Sequence, residues 1–74
     1  MKGGEGLETI KISLAAARVN AGLTQKEAAK RLKISKQVLV NWEKGVSEPK
    51  ISQSQALSAL YSMPWENISL KHNN

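Results

Sequence analysis

Seventy-four residues predict one small domain, and with no cysteine and a single histidine, His72, neither disulfides nor a histidine–cysteine metal site can staple it. No apolar run approaches the roughly 18 residues of a membrane span, and the opening MKGGEGLE lacks the apolar core of a signal peptide. Eleven basic residues against six acidic give a net charge of +5 and a sequence pI near 9.8, a balance that favours a polyanion as partner.

Residues 1–8 carry three glycines and mixed charge with no period, and read as a flexible arm. A single domain is expected over residues 9–70, with 71–74 as a frayed tail. The spacing predicts a first helix from about Thr9 to Ala21, in which Ile10, Leu14, Ala17 and Ala21 share a face. Ile12, Ala16 and Val19 form a second stripe, so burial on two sides is expected. Gly22 follows where a left-handed residue ends a helix. Thr24-Gln25-Lys26-Glu27 then fits a capping box, the Thr24 hydroxyl accepting from the Glu27 amide while the Glu27 side chain reaches back. Ala28, Ala29 and Leu32 form the apolar face of this second helix, which should end near Lys33. After a short break Ser35 caps a third helix, and Gly45 ends it. Leu39 and Trp42 lie inward, whereas Lys36, Gln37, Val40, Asn41 and Lys44 lie on the other faces. An exposed Val40 is expected, and it points to a side that meets something besides water. Pro49 makes the segment 46–50 a loop. A fourth helix from about Ser52 to Tyr61 turns Ala56, Leu57 and Leu60 inward, and Ser62-Met63 breaks it. Pro64 suits the first turn of a short fifth helix ending near Ile68, with Trp65 and Ile68 as its apolar pair.

The charge is uneven. Lys26 to Lys50 holds seven basic residues and three acids, whereas Ile51 to Leu70 holds no base and one acid, Glu66. One half is thus a candidate polyanion face and the other a candidate partner face. Lys30, Arg31 and Lys33 are most simply solvated, and Trp42 and Trp65 most simply core. Gln37 and Asn41 have no such plain explanation: both are mediocre helix formers inside a helix, with no core role. No catalytic constellation is present, because the one histidine is in the tail, no cysteine exists and no phosphate-cradling glycine loop occurs. A non-enzyme without cofactor or small-molecule ligand is expected.

Two helices joined by a tight turn outline a helix-turn-helix, and the residues sharpen the outline. Gly22-Leu23-Thr24-Gln25-Lys26-Glu27-Ala28-Ala29, followed by Ser35, Leu39, Trp42-Glu43-Lys44-Gly45 and Pro49, closely resembles the phage-repressor and Cro-type helix-turn-helix family over roughly Ile10 to Ile68. The resemblance implies an all-α, compact five-helix domain of the lambda-repressor-like kind that binds a double-stranded DNA operator as a homodimer. The helix from Ser35 to Lys44 would then enter the major groove, with Lys36, Gln37 and Asn41 at base edges. Lys can donate to guanine O6 and N7, and Gln or Asn can pair with adenine N6 and N7. Val38 and Val40 would make apolar contacts, where relatives carry polar residues. Gln25 matches a phosphate-bonding position; Lys26, Lys44 and Lys50 lie near it or near the ends of the third helix, and Thr24 and Ser35 are caps first and phosphate contacts second. Arg18 and Glu43 match a structural ion pair, and Trp65, Ile68 and Leu70 are left for a dimer interface. The expectation is a small phage- or prophage-type repressor in the cytoplasm, on the nucleoid. The competing reading is a protein-interaction module, antitoxin-like or anti-repressor, on the same scaffold.

Overall fold

A computed structural model describes residues 11–70 of the chain. Four α-helices follow one another: α1 (Leu14–Asn20), α2 (Gln25–Leu32), α3 (Lys36–Lys44) and α4 (Ile51–Tyr61). A two-residue strand, β1 (Ile12–Ser13), precedes them, and a 3-10 turn (Trp65–Asn67) leads into a second, β2 (Ile68–Ser69). The two strands pair in parallel, Ile12 opposite Ile68 and Ser13 opposite Ser69, so the two ends of the described chain are tied side by side. The arm expected at 1–8 and the tail expected at 71–74 lie outside the described residues, as do Thr9 and Ile10.

The first helix begins at Leu14 rather than Thr9. Ser13 is extended (φ −68°, ψ 159°) and its hydroxyl accepts from the Ala16 amide at 3.0 Å, which is the behaviour of an N-cap and stops the helix there. Ile12, β-branched, finds a strand partner in Ile68 instead of a helical turn. The second apolar stripe is not buried throughout, since Val19 is 62% exposed. Among the described residues the helix count is four and not five: after Pro64 (φ −56°, ψ 139°) only one 3-10 turn forms, and Ile68 returns to the extended region (φ −110°, ψ 130°). In α4 the inward positions are Leu57 and Tyr61, with Leu60 half-buried and Ala56 exposed, so the expected inward Ala56 is corrected.

Each helix end has a local cause. The capping box of α2 is complete: the Glu27 amide donates to Thr24 Oγ1 at 3.0 Å and the Thr24 amide donates to Glu27 Oε1 at 2.9 Å. Those hydrogen bonds from the Thr24 backbone and then its side chain hold the Glu27 carboxyl below its ordinary range. Ser35 Oγ accepts from the Val38 amide at 3.2 Å to start α3. Gly45 ends it at φ 76°, a left-handed conformation that a Cβ would strain. Thr24→Ala removes one hydrogen bond and exposes one helix amide, so urea unfolding should show a loss of about 1 kcal/mol.

One core joins all the elements: Leu14 and Ala17 from α1, Ala28 and Ala29 from α2, Leu39 and Trp42 from α3, Leu57 and Tyr61 from α4, and Ile68 from β2. Tyr61 is the only tyrosine in the chain. It is buried, and its hydroxyl finds no hydrogen-bond partner among the described residues. Burial, with a smaller contribution from the Glu43 carboxylate, pushes its pKa from 10 up to about 12. The neutral phenol is therefore the folded form. Stability is fully present below pH 10 and falls as pH rises through about 12. Tyrosinate absorbance during an alkaline titration should rise near pH 12 and coincide with loss of helicity; a rise near pH 10 with the helices intact would contradict this placement.

Candidate nucleic-acid interface

The connection between α2 and α3 is held from both sides. Lys33 turns left-handed (φ 61°), the Ile34 amide donates to the Ala29 carbonyl at 3.0 Å, and Ser35 already caps α3. Ile34 and Leu32 pack on the core, as do Leu39 and Trp42 from α3. The inner face of α3 is thereby fixed, and its outer face is left to solvent.

A polar network fixes α3 against α1 and α2. Arg18 Nε donates to Glu43 Oε2 at 2.7 Å, Arg18 Nη2 donates to Oε1 at 3.4 Å, and Gln25 Nε2 donates to Oε1 at 2.9 Å. Arg18 Nη1 also donates to the Leu23 carbonyl at 2.9 Å, bracing the loop before α2. The charged side chains are only 13% and 7% exposed, so this pair sits at the margin of the core rather than on the surface. Gln25, placed by resemblance against a phosphate, has its side-chain amide joined to Glu43 and is half-buried. Gln25 and Lys26 also stand at helix positions whose amides have no intrahelical acceptor.

On α3, Lys36 and Gln37 are exposed and Asn41 is half-buried. Gln37 Nε2 donates to Asn41 Oδ1 at 3.0 Å, one helical turn away. Val38 is half-buried and packs against the core, and Val40 is half-buried rather than exposed. Exposed cations stand at the start of α2 (Lys26), at both ends of α3 (Lys36, Lys44) and before α4 (Lys50). Thr24 and Ser35 are exposed, with their hydroxyls engaged as caps. The Lys50 amide donates to Gln53 Oε1 at 2.8 Å, which sets the entry into α4. Glu48 is exposed in the intervening loop.

Of the three residues left for a dimer contact, Ile68 is only 6% exposed and is spent on the domain's own core. Trp65 and Leu70 are partly buried against that core. The sequence reading missed Gln53, whose place three residues after the N-cap Lys50 was the available signal, and it missed the Gln37–Asn41 bond, which the i, i+4 spacing of two amides announces. Among the described residues, no helix is long and apolar enough to cross a membrane.

A family model described as helix-turn-helix, of the Cro/C1 type, matches residues 14–66, more than two thirds of the chain. No curated protein and no solved structure gives a match.

Proposed function

The chain belongs to the helix-turn-helix family, a family of DNA-binding regulators, and from that premise we propose that it is a sequence-specific repressor of the small phage type, reading the major groove with α3. The observation that carries the reading is the outer face of α3. Lys36, Gln37 and Asn41 stand there with no core role, on a helix whose inner face is fixed by Leu39, Trp42 and Glu43. Those three side chains are matched to base edges: the lysine to guanine O6 and N7, the amides to adenine. Val40 supplies apolar contact beside them. Phosphates are held by the free amides at the start of α2 and by Lys26, Lys44 and Lys50, with the Thr24 and Ser35 hydroxyls in a secondary role; these contacts set the register without reading sequence. Arg18 and Glu43 serve the architecture. Two copies bind one operator, with recognition helices about 34 Å apart, through Trp65, Leu70 and the residues beyond. The place of action is the nucleoid.

Selection of bound duplexes from a random pool tests this reading. A palindromic motif with half-sites one helical turn apart is the expected outcome. No enrichment, together with no binding to random duplex at low salt, would favour the protein-interaction module instead.

A further inference from the structure

We propose that Asn41 is a positioning residue for Gln37, and that the two amides act as one unit that reads adenine. The inference rests on the reading that α3 faces base edges, and it narrows that reading: Gln37 makes the adenine contact, and Asn41 acts through Gln37 rather than pairing with a base of its own. The carboxamide of Gln37 has one acceptor oxygen and two N–H groups. One N–H is given to Asn41 Oδ1 at 3.0 Å. The oxygen and the second N–H then lie side by side as an acceptor–donor edge of fixed order. Adenine presents the complementary order in the major groove, an N6 donor beside the N7 acceptor, whereas guanine presents two acceptors. An amide turned over by 180° would set its oxygen against N7 and lose the pairing. With Asn41 Oδ1 facing it, the bond selects the correct orientation, because the oxygen of Gln37 cannot donate to another oxygen.

Asn41 is the less exposed partner: it is half-buried where Gln37 is exposed, and its backbone carbonyl accepts from the Val46 amide at 2.9 Å in the turn that ends α3. In water an i, i+4 amide pair biases the side chain only about twofold. In a groove that excludes water the same bond counts as a full hydrogen bond, and the bias rises to about threefold to tenfold. The effect is therefore read in base discrimination more than in stability.

Equilibrium binding of the full chain to matched duplexes tests the assignment, with helicity by circular dichroism and urea unfolding of each variant as the control for folding. Gln37→Ala identifies the base pair that Gln37 contacts, as the one where preference for A·T over G·C falls. Asn41→Ala should lower preference at that same pair by about threefold to tenfold, and should have no further effect there when combined with Gln37→Ala. Asn41→Asp keeps the acceptor oxygen and loses the amide donors; it should preserve preference at that pair while weakening binding to every duplex. In the free protein, magnetisation transfer between the Gln37 amide hydrogens and Asn41 should be seen and should vanish in Asn41→Ala. The proposal is overturned if Asn41→Ala changes preference at a different pair and does so independently of Gln37, or if Asn41→Asp behaves like Asn41→Ala. If Gln37→Ala alters preference nowhere, the base-edge reading fails and this inference fails with it.

Discussion

Glu43→Ala should cost about 3–5 kcal/mol of folding stability, enough to unfold much of the population. A domain of this length has only about 4–11 kcal/mol in total. The size of the loss comes from what remains behind. Glu43 accepts from Arg18 and from Gln25, and its side chain is 7% exposed. Without it the guanidinium, itself 13% exposed, keeps only the Leu23 carbonyl, and the Gln25 amide loses its acceptor. Near the core an unpaired charge costs more than the pair ever contributed, because desolvation is no longer offset by attraction. The same reasoning predicts that replacing both partners with apolar residues, Arg18→Leu with Glu43→Leu, costs far less than either single truncation. Urea denaturation of the two single variants and the double reads this directly. A loss below about 1 kcal/mol for Glu43→Ala would place the pair among ordinary surface bridges.

Raising salt from 50 to 200 mM should lower affinity for duplex DNA by about 10³-fold. On the proposed contacts, the exposed Lys26, Lys44 and Lys50 would neutralise three phosphates per copy and six in the proposed dimer, the low end of the range in which such losses occur. Each neutralised phosphate releases condensed counterions, and added salt opposes that release. Lys50→Ala should reduce the slope and weaken selected and random duplexes alike, because a phosphate contact carries no sequence information. A flat salt response would mean that these cations are merely solvated.

The capping residues made most of the fold legible. Thr24, Ser35 and Gly45 end or begin helices where their side chains or their left-handed backbone require it. The structure departs from the local pattern where two preferences compete. Ile10, Leu14 and Ala17 have helical spacing, but Ser13 caps α1 and Ile12 pairs with a strand more than fifty residues away, a contact that no local pattern contains. The segment after Pro64 shows the same conflict: it suits a helix start, yet Ile68 is drawn out of the helix to pair with Ile12 and fill the core. At the site, the residue types on α3 were readable from its period. Their pairing was not fully so, since Gln25 meets Glu43 across eighteen positions of chain. Gln37 and Asn41, one turn apart, were within reach of the spacing rule.

The most direct test of a base-reading α3 compares Gln37→Ala with the unaltered chain on two duplexes, the best sequence from a random-pool selection and an unrelated one. Loss of one bidentate contact should weaken the selected duplex by about 5- to 150-fold and leave the unrelated duplex unchanged. Equal weakening on both duplexes would contradict the account, because it would make Gln37 a contact to the DNA backbone.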